Sequence, residues 1–197
     1  MGNLFLEIGI IYYVTLLLKL PESSATLLMV IMFISSFIFY PFIYKLAARI
    51  GKKKLLIWAF IIQSAVFFLI AVSGIIPSIP ARLTGYTGIG LVAAAVAVFG
   101  IVPPAVNADL AKMDSIKTGN HKEGIFSGIY SFINKAAIAV SNLIFPSLLL
   151  LGKSTQNTTG VRLTAVVGGV MMIAGMLFLK GYDETRVNSI LAQENAD

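Results

Sequence analysis

The sequence has no cysteine, a single histidine and a single tryptophan, and each scarcity closes a class of function. Without a thiol there is no disulfide, no thiolate nucleophile and no cysteine-ligated metal. His121 stands alone among loop residues, so a histidine-built metal site is excluded and no metal site is expected. No Ser-His-Asp set falls inside an apolar stretch, and no GxxxxGK[ST] phosphate cradle is present. An enzyme is therefore not expected, and no cofactor is implied by the residues. Charge is scarce too: 12% of residues are charged, against about 25% in a soluble domain. With 57% hydrophobic residues and a mean hydropathy of +0.88, 197 residues carry more apolar surface than one aqueous core can hide. The bilayer is the solvent this composition calls for. The net charge of +6 invites a nucleic-acid reading, but the cations fall in short turns between apolar stretches. That is the pattern of membrane topology, and no nucleic-acid partner is expected.

What is present is a series of apolar stretches, each close to the 20 or so residues a spanning helix needs. They predict an all-α membrane protein with six transmembrane helices at about 4–20, 25–48, 55–75, 83–107, 125–151 and 163–179. The first stretch lacks a basic leader and a cleavage motif, so it reads as a retained span. Pro21, Glu22, Ser23 and Ser24 predict a tight hairpin whose serines cap the next helix. Gly51, Lys52, Lys53 and Lys54 mark the turn into the third span, and Pro77, Ser78, Ile79 and Pro80 the break before the fourth. A long polar connector is expected over 108–124, and a polar loop over 154–160. Residues 1–181 then form the membrane domain, and 182–197 a polar tail of interfacial helix or disorder.

Orientation follows from the basic residues. Lys45, Arg49, Lys52, Lys53, Lys54, Lys112, Lys117, Lys122, Lys180 and Arg186 fall on one side; Lys19, Arg82, Lys153 and Arg162 fall on the other. The richer side is expected in the cytoplasm, together with both termini, in a cytoplasmic (plasma) membrane. The fifteenth cation, Lys135, belongs to neither side. It lies about ten residues into the fifth span, roughly 15 Å deep at 1.5 Å per residue. That is too deep to reach the interface easily. Ser131, Asn134, Ser141 and Asn142 share one broad helical face with it, and Tyr130 lies nearby. Such a stripe is costly against lipid. It reads either as an ion pair locking helices together or as the lining of a solute pathway, and the number of polar neighbours favours the pathway.

Other features carry weaker signals. Gly85, Gly88, Gly90, Gly100, Gly168, Gly169 and Gly175 suit close helix packing. Pro103 and Pro104 suit a bend that frees carbonyls toward a cavity. Trp58 suits an aromatic belt. Glu7 sits near the interface, and of Tyr12 and Tyr13 at most one faces a cavity. Gln63 is a lone polar residue deep in a span. Asn157 heads a glycosylation sequon on the outer side. Asp109 ends the fourth span and is either a helix-end residue or part of a gate.

Ala108-Asp109, Lys117-Thr118-Gly119, Glu123-Gly124, Phe132 and Lys135 together form A-D-x7-K-T-G-x3-E-G-x7-F-x2-K. This resembles the region joining helices ten and eleven of the glycoside–pentoside–hexuronide:cation symporters, the melibiose-carrier branch of the major facilitator superfamily. The run from Ala48 to Lys54 is similar to their loop between helices eight and nine, and Tyr182, Thr185, Arg186 and Ile190 to their ending. The resemblance implies one half of a major-facilitator-type bundle, the carboxy-terminal half of a sugar:cation symporter. It implies that Lys135, with Asn134, Tyr130, Ser131 and Tyr13, faces the solute, and that Asp109 and Lys117 belong to a cytoplasmic gate. The chain departs from the pattern at Lys112, where a second acid is usual, and at Ile116, where an aromatic is common. A coupling Na⁺ or H⁺ is implied by the family, but this half has no acid deep in a span to ligate it. The expected partners are membrane lipid, a small-molecule solute such as a glycoside, and a second six-helix half, as a separate chain or as the rest of a carrier of which this is a piece. The alternatives are a homodimeric half-transporter for an anionic solute or lipid, and a non-transporting membrane scaffold.

Overall fold

The computed structural model describes residues 1–73 and 81–194. The expected break at Pro77–Pro80, the end of the third predicted span and residues 195–197 lie outside them. The described chain is all helical: α1 (Gly2–Tyr12), which continues as a π-helical turn (Tyr13–Leu17), α2 (Glu22–Ile50), α3 (Lys52–Val72), α4 (Ala81–Thr118), α5 (Glu123–Leu149), α6 (Thr159–Leu179) and α7 (Glu184–Glu194). Helices α2 to α6 are long and apolar enough to cross a membrane, with α4 qualifying over Gly90–Thr118, while Gly2–Leu17 is shorter. The expected six spans are therefore five of membrane length and one short helix. The shortening has a local cause. The Leu18 N–H bonds back to the Tyr13 carbonyl at 2.9 Å, five residues earlier, and Lys19 takes a left-handed φ of 51° that ends the helix.

Two other boundaries differ from expectation. The serines after Pro21 do not cap α2. Pro21 is its extended N-cap with no side-chain bond, and Ser23 and Ser24 lie in the first turn. The long polar connector is mostly helix, because α4 runs on to Thr118. Leu110, Ala111, Met113 and Ile116 keep an apolar helical spacing through the polar residues, and Ala111 is buried. The stop is Gly119, at φ 67°.

The centre of the bundle is the pair α3 and α6. Each of three α6 glycines receives a phenylalanine of α3. A Cβ at Gly168 would come within 2.8 Å of the Phe67 ring, one at Gly169 within 3.1 Å of Phe68, and one at Gly175 within 2.8 Å of Phe60. Absence of a side chain lets the rings fill the space, which is how helices gain packing where lipid offers no hydrophobic drive. The Ser64 hydroxyl adds a bond to the Gly169 carbonyl at 3.2 Å. At the far end of α3, Arg162 donates to the carbonyls of Ala71 and Ser73, closing the helix terminus. Helix α4 packs on α3 and α2 through small buried residues, Ala93, Ala95 and Ala97. There the Ser36 hydroxyl bonds the Ala93 carbonyl at 3.2 Å.

Helix α5 is the outlier. Only Ser141, Phe145 and Leu149, in its second half, are buried. Phe145 meets Phe5 edge-on at 5.3 Å. The first two thirds, from Glu123 to Val140, are mainly exposed, and Phe132 is 73% exposed.

Gly168→Leu is expected to force apart the α3–α6 seam at the buried Phe67 ring, with a cost of about 1–3 kcal/mol from overpacking. A lowered melting midpoint in detergent, with Val170→Leu on the exposed face of α6 as the unaffected reference, checks this.

Candidate functional site

Lys135 lies one residue from the midpoint of α5. Its side chain is exposed, and among the described residues it makes no hydrogen bond or ion pair. Ser131 and Asn134 are exposed beside it, and Tyr130 is half-buried one turn below. Ser141 does not stay with them. It turns into the bundle at 0% exposure, and its hydroxyl has no partner among the described residues. The polar stripe thus divides: its upper end is packed, while its middle, with the cation, faces away from the rest of the chain.

Below Lys135, Tyr130 and Ser131 join Glu123 and Ser127 of α5, and Asn107 and Pro104 of α4, around a cavity of about 320 Å³. A second hollow of about 420 Å³ shares Asn107 and Tyr130 and includes Pro103. Neither proline has an N–H to give, so the carbonyls of Phe99 and Gly100 lose their helical donors beside these hollows. The arrangement offers hydroxyls, amides and one carboxylate at the mouth, with an ammonium group above. It can hold a hydrogen-bonding solute, and it has no nucleophile or metal-ligating cluster. Among the described residues no group of three or more His, Asp and Glu comes together.

Tyr13 is placed elsewhere. It is 2% exposed, and its hydroxyl donates to Thr164 at 3.1 Å, away from the α5 stripe. Asp109 and Lys117 do not meet either. They are eight residues apart on α4, about 12 Å along the axis, and Lys117 is exposed. Asp109 instead pairs with Lys52 at 2.5 Å. That pair belongs to a latch the sequence did not reveal. The Glu184 carboxylate at the start of α7 accepts the amides of Lys52 and Lys53 at 2.5 and 3.1 Å, capping α3 from the other end of the sequence. The Lys53 ammonium donates to the carbonyls of Lys180 and Tyr182. Gly51, at φ 91°, leaves room for the carboxylate, since a Cβ there would come within 2.7 Å of it. Val187 of α7 is buried, so the tail is docked on the bundle. The one sequence signal for this was a glycine followed by three lysines opposite an acidic tail. Tyr182 lies inside the latch, its hydroxyl without a partner among the described residues. Burial, then the carboxylates of Asp109 and Glu184, push its phenol up to about 12.

Gln63, the lone polar residue deep in the third predicted span, is a second polar centre. It is 0% exposed, its amide donates to the Asn3 side chain at 2.6 Å, and its own carbonyl oxygen has no partner among the described residues.

Two results are expected. Glu184→Ala removes the cap of α3, worth about 1 kcal/mol, and frees α7. Faster amide exchange over 184–194 than in the parent chain checks it. Tyr182→Phe is expected to be neutral or slightly stabilising at pH 7, because the hydroxyl has no partner among the described residues. A phenol whose pKa rises on folding contributes fully below its unfolded value near 10 and loses that contribution as pH climbs to about 12. Unfolding midpoints measured over that window should therefore fall less in Tyr182→Phe than in the parent.

A family model described as MFS/sugar transport protein matches residues 1–186. No curated protein matches and no solved structure matches.

Proposed function

The chain belongs to the MFS/sugar transport protein family, a transporter family rather than an enzyme family, and from that premise we propose that it forms one six-helix half of a sugar-type secondary transporter. It is an integral membrane protein by its apolar helices. The finer reading is the carboxy-terminal half of a glycoside–pentoside–hexuronide:cation symporter. In it the basic end lies in the cytoplasm and the membrane is the plasma membrane. The solute is a glycoside, and the coupling Na⁺ or H⁺ is held by acids of a second half. Alternating access in this fold needs two halves rocking about a central site.

One observation carries the proposal: a cation at the middle of the least buried membrane-length helix, with no partner among the described residues. A charge at the bilayer centre costs at least about 2.5–3.5 kcal/mol on insertion scales. Lys135, Asn134 and Ser131 are therefore set to face a wet central cavity closed by the other half, with Tyr130 at its floor and Asp109 and Lys117 at the cytoplasmic mouth. The burial of Tyr13 supports a packing role for it instead. A second reading, an anionic solute or lipid headgroup, is favoured by the same ammonium, which no carboxylate among the described residues neutralises.

Proteoliposomes containing this chain and a second half are expected to take up radiolabelled glycoside saturably. Lys135→Ala should lower that uptake at least tenfold with the yield of folded protein unchanged, because the side chain holds nothing in place. Parent-like uptake by the variant would overturn the assignment. Competition by a glucuronide but not by a neutral glycoside would move the solute to the anionic class.

A further inference from the structure

Lys45, Arg49, Lys52, Lys53 and Lys54 crowd around the turn between α2 and α3, and they divide into two sets. Lys52 and Lys53 turn inward and are held in the latch, on Asp109 and on the carbonyls of Lys180 and Tyr182. Lys45, Arg49 and Lys54 are exposed, and among the described residues none of them makes a hydrogen bond or ion pair. On α2, Ile34, Ile38, Phe42, Lys45 and Arg49 fall within about 80° of arc at 3.6 residues per turn, and all are exposed. On α3, Lys54, Trp58, Ile61, Leu69 and Val72 do the same. Each stripe is apolar along the span and cationic at the basic end. Trp58 lies six residues into α3, about 9 Å along its axis, the level at which an indole meets the headgroup region. Its indole N–H has no acceptor among the described residues.

We propose that these two stripes form a binding site for an anionic phospholipid. Lys45, Arg49 and Lys54 meet its phosphate, Trp58 its ester level, and the apolar residues its acyl chains. The turn keeps the cations together: Arg49 and Lys54 are five residues apart, roughly 17 Å even for a fully extended chain. Charge complementarity selects the occupant. Cations without carboxylates attract a net negative headgroup, whereas in a zwitterionic lipid an ammonium offsets the phosphate. The order along each stripe selects lipid over an acidic protein segment. Cation, aromatic ring and aliphatic side chains follow one another at the depths of headgroup, ester and acyl chain, and an acidic peptide at the surface has no use for exposed Ile38 or Ile61. A topology bias needs only a count of cations on one side. It does not require two to be drawn inward while three stay unpaired at the head of continuous apolar stripes. The inference needs only the chain's place in a membrane and stands apart from the solute reading.

Trp58 is the single tryptophan of the chain, so its fluorescence reports on the site without labelling. The purified chain is reconstituted in phosphatidylcholine vesicles containing a fixed small fraction of brominated lipid, either phosphatidylglycerol or phosphatidylcholine, with bromine near the glycerol end of the acyl chains. Bromine quenches an indole only at near contact. The proposal expects brominated phosphatidylglycerol to quench Trp58 at least threefold more than brominated phosphatidylcholine at equal fraction. Replacing Lys45→Gln, Arg49→Gln and Lys54→Gln together should bring the two lipids level, while Lys117→Gln, elsewhere at the same end, keeps the preference. Where the triple variant folds poorly, Lys54→Gln alone should at least halve the preference. Equal quenching by the two lipids in the parent chain overturns the proposal. So does a preference that survives the triple variant, or one that falls as far in Lys117→Gln. Equal quenching together with a shift of Trp58 emission on adding polyglutamate would overturn it in favour of an acidic protein segment.

Discussion

Three phenylalanine rings set into three glycines hold α3 and α6 together, and the positions of all other helices follow from that seam. Because Phe60, Phe67 and Phe68 occupy the space that side chains at Gly175, Gly168 and Gly169 would take, the two helices approach closely enough for Ser64 to bond a backbone carbonyl across the gap. A close-packed pair of this kind is rigid. Helix α4 lies on it through alanines, α2 lies on α4, and the short α1 lies on α6 through Tyr13 and Thr164. Helix α5 shares least in this packing, touching the bundle mainly through Phe145 and Leu149. The rigid part of the molecule and its chemically interesting part are therefore different helices. A polar stripe on α5 can meet another body without disturbing the seam.

The two ends of α3 are closed by different means. At one end Arg162 of α6 takes its last carbonyls. At the other Glu184 takes its first amides, and Lys52 and Lys53 reach to Asp109 and to the carbonyls of Lys180 and Tyr182. The Lys52–Asp109 pair is partly exposed, and alone such a pair is worth roughly 0–1 kcal/mol. Its effect is geometric: it ties the start of α3 to α4, while Glu184 ties the same turn to the α6–α7 junction. Gly51 makes this possible, since a side chain there would collide with the carboxylate.

Much of this was legible in the sequence, and the failures have physical causes. Hydropathy located α2 to α6 because a bilayer imposes a length of apolar helix that few other constraints produce. It misjudged α1, since the π-helical turn at Tyr13 and the left-handed Lys19 are departures of the local backbone that no periodicity records. It also read 108–124 as a connector on polarity, although Leu110, Ala111, Met113 and Ile116 keep a helical spacing past the membrane. The lone lysine could be read from sequence, as its cost in lipid depends only on depth. Its neighbours were read less well. A helical wheel puts Ser141 and Lys135 on one broad face, but α6 and α1 cover only the upper part of that face, so Ser141 is enclosed and Lys135 is open. The latch was invisible because it joins residues 57 to 132 positions apart.

The open side of α5 and the buried Gln63 are two forms of one deficit. In hydrocarbon every backbone amide must find an acceptor, and every charge a partner or water. The seam, the Arg162 closure and the Glu184 cap meet that demand for α3, the best-enclosed helix. They do not meet it at Lys135, which has no partner among the described residues, nor at Gln63, whose Oε1 has none among them. Lys135 stands near the middle of α5, above a hollow lined by Asn107, Tyr130 and Ser131. A scaffold that only packed against lipid would have no reason to place its unpaired polar groups at that depth. A body that rocks against another has such a reason, because groups paired permanently within one half could not exchange partners with solute, water and the opposite wall as the halves move.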